Sequence, residues 1–321
     1  MRHRTLAHSI VAALAVVALS ARVAPAQTFF DTYNRSSLQT GGPPPGLSYS
    51  GDAPTTAIYS GSASSTAGSG TNLVAGSFFG GANARMVQII SNAPANSSGG
   101  AYYTGTYSGG GFNSQLNQNT TVSWALNMKT STASLGGFGT GQGQQSQFGI
   151  ATVLAATSND LTTANGYAII RGRNGNSDRY DLIQFTGGLD NENNFTSIVS
   201  GQPNQVGPTN FTSVRVTYNG ANNNWTLFVR DDGATAAGDP TNLTGYNQIG
   251  SPTQNSTYTT VALPNFGFYW NYGAGNTAQG AQSGYYDNFQ AVYVPVPEPV
   301  TVLGLAAGSL GLVAGIRRRF C

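Results

Sequence analysis

The span from residue 27 to residue 293 holds eleven carboxylates, eight cationic side chains, and neither histidine nor cysteine. His3, His8 and Cys321 lie outside it, so it has no imidazole base and no thiol nucleophile. Any chemistry there falls to Asp, Tyr, amides and one glutamate. That glutamate, Glu192, stands in Leu189-Asp190-Asn191-Glu192-Asn193-Asn194. The cluster's hard oxygens suit Ca2+, which takes about six to eight oxygen ligands; its composition is also that of a polar turn. Asp190, Glu192 and, farther along, Asp287 are the metal-ligand candidates, with calcium the ion and no cofactor required. Asp231-Asp232-Gly233 reads as a turn former closing a strand. A retaining cut of a glycosidic bond needs two carboxylates about 5 Å apart. Asp178 with Asp181 could form such a pair, but nothing singles it out, and no catalytic residue is assigned.

Sugar binding asks for flat aromatic faces beside amides and carboxylates. Phe268, Tyr269, Trp270 and Tyr272 form the densest aromatic group, followed by a loop rich in Gly, Asn and Gln. Tyr102, Tyr103 and Tyr107 form a second. Strand alternation sends Phe268 and Trp270 to the core, leaving Tyr269 and Tyr272, with Tyr102 and Tyr103, as the glycan-binding candidates. The competing reading is that these tyrosines decorate a sheet.

The elements that must position these residues are strands. In F-T-S-V-R-V-T-Y at 211–218, Val214, Val216 and Tyr218 share one face. Trp225, Leu227 and Val229 do the same in 224–230, and Asn219-Gly220 stands between the two runs as a hairpin signal. At 121–128, Val122, Trp124, Leu126 and Met128 point inward. Further strands are expected at 72–79, 85–90, 101–107, 147–154, 166–171, 180–185, 195–199, 258–263, 265–270 and 285–294. About a dozen short strands with polar turns predict an all-β fold of two packed antiparallel sheets, a single domain over 27–293.

Four segments carry a resemblance: T-V-S-W-A-L-N-M at 121, G-Y-A-I-I-R-G at 166, V-R-V-T-Y with W-T-L-F-V-R-D-D-G at 214–233, and F-G-F-Y-W with Y-Y-D-N-F-Q at 266–290. They resemble concanavalin A-like or laminin-G-like jelly rolls over about half the chain. The resemblance implies a lectin-type sandwich and does not by itself imply lectin activity. Polysaccharide-cleaving enzymes of that class carry an E-x-D-x-E strand motif, which is absent here.

The two ends read as addresses. Arg2 and Arg4, an apolar stretch at about 10–19 and Ala24-Pro25-Ala26 before Gln27 make a secretory signal peptide over 1–26, cut after Ala26 by signal peptidase. Residues 294–321 combine Val296-Pro297-Glu298-Pro299, an uncharged run over 300–316, and Arg317, Arg318 and Arg319. As a helix that run is about 25 Å long, near the lower limit for a bilayer span, and the arginines would stay in the cytoplasm. This tail resembles the PEP-CTERM sorting signal of Gram-negative bacteria. The resemblance implies that an exosortase-type membrane transpeptidase cuts near the Pro-Glu-Pro element and places the body at the cell surface or in the extracellular matrix.

With both ends set aside, the body is acidic by about three charges. It offers no basic patch for nucleic acid. Its surface polarity comes from Asn, Gln, Ser, Thr and Gly. The expected function is non-enzymatic: a structural or adhesive surface component that contacts exopolysaccharide. The alternatives are a glycoside hydrolase or lyase with an Asp-based site, and a purely structural surface-layer component.

Overall fold

The computed structural model describes residues 27–31, 55–58, 70–75, 85–91, 99–107, 120–131, 148–172, 179–203, 205–272 and 282–295, with Leu116 and Phe138. The strands in chain order are β1 (Gln27–Asp31), β2 (Thr55–Ile58), β3 (Gly70–Ala75), β4 (Arg85–Ser91), β5 (Gly99–Thr106), β6 (Thr120–Thr130), β7 (Phe148–Ala156) and β8 (Gly166–Arg171). They continue with β9 (Tyr180–Phe185), β10 (Phe195–Ser200), β11 (Phe211–Asn219), β12 (Asn224–Gly233), β13 (Asn247–Gln254), β14 (Asn265–Tyr272) and β15 (Gln282–Pro295). One sheet runs β13-β12-β11-β6-β15-β4-β3, with β1 also paired to β15; the other runs β10-β9-β8-β7-β14-β5-β2. The pairings are antiparallel, β11 joining β12 and β6, and β14 joining β5 and β7. The expected all-β, two-sheet antiparallel sandwich is the fold.

Alternation places the core. Val122, Trp124, Leu126 and Met128 of β6 and Val214, Val216 and Tyr218 of β11 enter one buried cluster with Trp225, Leu227 and Val229 of β12. Across the gap they meet Ile150, Tyr167, Ile169, Phe268 and Trp270 of the seven-stranded sheet. Trp225 is the hub. Its ring centroid lies 5.8 Å from that of Trp124, 4.7 Å from Tyr218 and 4.3 Å from Tyr167 of the facing sheet. Each polar tip is satisfied: the Trp225 indole donates to the Asn255 carbonyl and the Trp124 indole to the Tyr107 hydroxyl, both at 2.9 Å. A buried donor left unpaired would cost about 1–3 kcal/mol.

The seven-stranded sheet is covered on its other face as well. Ala151, Val153, Ala168, Ile170, Ile183 and Tyr269 pack there against Phe138, Leu161, Ala164, Leu189 and Phe195 in a second cluster. β8 and β9 are consequently buried at every residue.

Three readings change. Residues 258–263 alternate like a strand but form turns, Thr259 N–H donating to the Ser256 carbonyl and Val261 N–H to that of Tyr258. The Tyr258 amide receives the Tyr167 hydroxyl oxygen as its acceptor, which ties this turn to the sandwich. β1, β2 and β13 were not expected; in β13, reading N-Q-I-G-S-P-T-Q, burial is confined almost wholly to Ile249. The β11–β12 hairpin turns through four residues, 220–223, rather than at Asn219-Gly220 alone. Asn223 takes a left-handed φ of 56° there, and Asn219 Oδ1 accepts from the Ala221 N–H.

Gln27–Tyr293 forms one compact unit. Among the described residues no helix is long and apolar enough to cross a membrane; residues 300–316 lie outside them.

Trp225→Ala is expected to cost about 3–5 kcal/mol of stability, the range for removing a large buried side chain. Thr217→Ala, on the outer face of β11, should change it by less than about 0.5 kcal/mol. Urea denaturation followed by tryptophan fluorescence checks both, and equal midpoints for the two variants would remove Trp225 as the hub.

Candidate functional site

The tyrosines expected to face a glycan are core residues. Alternation does turn Tyr269 away from Phe268 and Trp270, but that face lies under the second cluster, and Tyr269 is only 1% exposed. It stacks at 6.2 Å on both Tyr102 and Phe138. Burial raises its hydroxyl far above the ordinary range, and nearby Asp190, Tyr102 and Asp160 push the same way. Tyr102 is buried as well, and Tyr103 packs in the inter-sheet core, stacked on Phe268 at 6.0 Å. A surface role for Tyr102, Tyr103 and Tyr269 is thereby corrected: a layer from 138, 161–164 and 189–195 covers the face that carries Tyr102 and Tyr269, and Tyr103 points between the two sheets. Tyr272 ends β14, its backbone paired to Phe148 and Gly99, and its side chain is outside the described set.

The metal candidates do not converge. Asp190 precedes a short 3-10 turn, Glu192–Asn194, that Asn191 caps by accepting from the Asn193 N–H. Asp287 is buried in β15 of the other sheet, where Asn288 N–H donates to its Oδ1 at 2.7 Å. Among the described residues no three acidic, His or Cys side chains group as a metal would require. Asp181 is held by Arg179 at 2.8 Å and by the Gly201 N–H at 3.0 Å; Asp178 lies outside the described residues. Ala24, Ala26, Val296, Pro297, Glu298, Pro299, Arg317, Arg318 and Arg319 also lie outside them, while Gln27 opens β1.

The arrangement that the sequence reading missed is a clamped loop on the outer face of the eight-stranded sheet. Arg230 of β12 donates to Asp232 Oδ1 at 2.5 Å, to the carbonyls of Asp239, Asn242 and Thr244, and to the Ser213 hydroxyl. Its guanidinium also lies over the Tyr246 ring at 4.9 Å. Burial pushes the Tyr246 hydroxyl up to about 12 against the opposing pull of Arg230. Asn127, fully buried on β6, donates to the Gly238 carbonyl and accepts from Asn288. Gly238 is required: a Cβ there would lie 2.5 Å from the Arg230 guanidinium. Asn288 sits at φ 51°, interrupting the alternation of β15 so that Tyr286 and Phe289 both reach the core.

So fixed, residues 237–243 overhang a groove of about 510 Å³ lined by Gly238, Asp239, Pro240, Thr241, Asn288 and Gln290. A smaller hollow of about 220 Å³ shares Pro240, Thr241 and Gln290 with it and adds Ser123, Ala125, Arg215, Leu243 and Val292. The groove presents polar and apolar atoms together, and the Arg230 clamp fixes the loop above it. The arginine at 230 was the available signal, since in a body this poor in charge each cation flanked by Asp and Gly marks a held loop.

No protein-family model matches the chain, and no curated protein sequence does. Among solved structures, lectin II from Ulex europaeus is 9% identical, with a TM-score of 0.44 over 85% of this chain and all of that one. Lectin I from Ulex europaeus, in complex with the methyl glycoside of α-L-fucose, is 12% identical, with a TM-score of 0.44 over 84% of this chain and 99% of that one. Arcelin-5, a lectin-like defence protein from Phaseolus vulgaris, is 12% identical, with a TM-score of 0.42 over 85% of this chain and all of that one. The sandwich itself is established by the strand registers above.

Three carboxylates that fix loops share a pH signature. Asp160 is lowered from its ordinary value first by the Thr162 hydroxyl, and Asp239 first by that of Thr241. For Asp231, burial raises the value, but the Gly207 and Gly233 N–H groups and Asn210 outweigh it and the net shift is downward. A depressed carboxylate stabilises the fold fully above its unfolded value of about 4 and loses that contribution as pH falls through its lower folded value. Urea midpoints should therefore drop on going from pH 5 to pH 2, and Asp231→Asn should make the drop shallower. An unchanged pH profile in that variant would show that Asp231 does not anchor the 207–210 loop.

Proposed function

We propose that this chain is an exported, surface-sorted, non-enzymatic protein whose sandwich adheres to exopolysaccharide. Signal peptidase removes residues 1–26, and an exosortase-type membrane transpeptidase acts at Val296-Pro297-Glu298-Pro299, leaving the body at the cell surface or in the extracellular matrix. The observation that carries this reading is the β1–β15 register, in which Gln27 pairs with Tyr293. Gln27 and Tyr293 are neighbours, so cuts before Gln27 and beyond Pro295 at the Pro-Glu-Pro element would leave every strand of the body in place.

The adhesive part of the reading is supported by the outer groove and by the state of the acids. Amides, hydroxyls and a few apolar side chains line the groove, the mixture that suits sugar rings. Asp160, Asp181, Asp231, Asp232 and Asp239 accept bonds from turns or arginines. That is the work of structural carboxylates. No metal is needed for either step.

In the full chain expressed in an exosortase-bearing host, Glu298→Gln should leave the unprocessed precursor in the inner membrane, whereas the wild type reaches the surface or medium. Fractionation with an antibody to the sandwich reads the outcome. Identical processing of both forms would end the sorting assignment.

A further inference from the structure

The groove under residues 237–243 has a polarity that an uncharged ligand would not use. Asp239 stands in its larger part and Arg215 in the smaller hollow, with Pro240, Thr241 and Gln290 between them. Arg215 lies on β11 opposite Ala125 of β6, and both line the smaller hollow. Three other arginines are committed: Arg171 to Thr130 and the Pro208 carbonyl, Arg179 to Asp181, and Arg230 to Asp232 and the loop carbonyls. Among the described residues Arg215 has no carboxylate at ion-pair distance. An arginine in a body of net negative charge, set in a hollow with no partner acid among the described residues, has the chemistry to receive an anion from outside.

The surroundings say what kind of anion. Leu243, 61% exposed, stands with Pro240 and Val292 as an apolar wall, and Ser123, Thr241 and Gln290 supply hydroxyl and amide groups. A bare ion would use none of the apolar wall. A sugar ring has both a C–H face and a rim of hydroxyls, and a uronic acid adds a planar carboxylate that a guanidinium receives through two hydrogen bonds.

We infer that this groove binds an acid-bearing polysaccharide, Arg215 receiving a uronate carboxylate while neighbouring neutral rings lie along Thr241, Gln290 and Asn288 toward Asp239. The inference rests on the exopolysaccharide reading and adds its site and its ligand class. The clamp formed by Arg230, Asp232, Ser213, Asn127 and Gly238 holds the overhang without a ligand, so little ordering accompanies binding. Asp239 sets a limit: its negative charge disfavours a second carboxylate at that end, which selects chains whose acids are spaced apart.

The test is affinity electrophoresis of the full chain in mild detergent, with a chelator present, through gels containing polygalacturonate with part of its carboxyls methyl-esterified so that its acids are spaced apart, its fully methyl-esterified form, or poly-glutamate. The wild type is expected to be retarded by polygalacturonate at least tenfold more strongly than by the ester or by poly-glutamate. Arg215→Gln should erase most of that difference, and Gln290→Glu, which adds a negative charge in the shared wall, should weaken retention about tenfold. Unchanged thermal unfolding would show that both variants are folded. Equal retention by the acid and its ester, unaffected by either variant, would overturn the groove inference and leave polysaccharide adhesion standing. Retention by poly-glutamate as strong as by polygalacturonate would reduce the hollow to a bare anion site and overturn the glycan assignment. No retention by any polysaccharide, including the host's own exopolymer, would remove the adhesive reading itself.

Discussion

The contact of Trp225 with Tyr167 across the sandwich is the interaction on which the rest depends. Trp225 belongs to one sheet and Tyr167 to the other, and at 4.3 Å their rings set how closely the sheets approach. Their polar tips then dictate what closes the end of the sandwich. The Tyr167 hydroxyl donates to Asn255 Oδ1 and accepts from the Tyr258 N–H, and the Trp225 indole donates to the Asn255 carbonyl. The chain around 255–258 must therefore turn over the core at this point. An apolar core bought with aromatic side chains brings such obligations, because each buried N–H or O–H needs a partner.

Scarcity of charge is the second organising constraint. With so few ionic groups, Arg171, Arg179 and Arg230 and most of the described aspartates hold local structure. Arg171 is fully buried and reaches the 208 carbonyl from β8. Asp231 fixes Gly207 and Asn210, while Asp232 receives Arg230 beneath the overhanging loop. These bonds stabilise loops whose own residues bury little apolar surface. Arg215 stands apart from this pattern, on the face where the clamped loop leaves a hollow.

The two sheets divide the labour. The seven-stranded sheet is buried on both faces along β8 and β9, and its outer layer of Phe138, Leu161 and Leu189 excludes water from Tyr102 and Tyr269. The eight-stranded sheet keeps one polar face in solvent, and it is this face that carries the overhang. A rigid scaffold with function on loops above one solvated face is a common division in β-sandwiches.

The sequence by itself determined that the body is an antiparallel sandwich and which face of β6, β11 and β12 enters the core, because period-2 alternation of Val, Leu and Trp leaves no other arrangement. It also determined that histidine and thiol chemistry are absent from residues 27–293, and it carries the two address segments whose action is proposed above. Only the tertiary structure decided that Tyr269 and Tyr102 are interior, since alternation reports that a side chain leaves one face and is silent on whether a loop distant in sequence covers the other. Likewise Arg215 and Arg230 read alike along their strands, each an outward cation. One is consumed by carbonyls of residues 239–244 and the other faces a hollow, a difference set by where the 237–243 loop lands. Long-range placement of loops depends on the summed packing of the whole core, and that information is not local to any stretch of the chain.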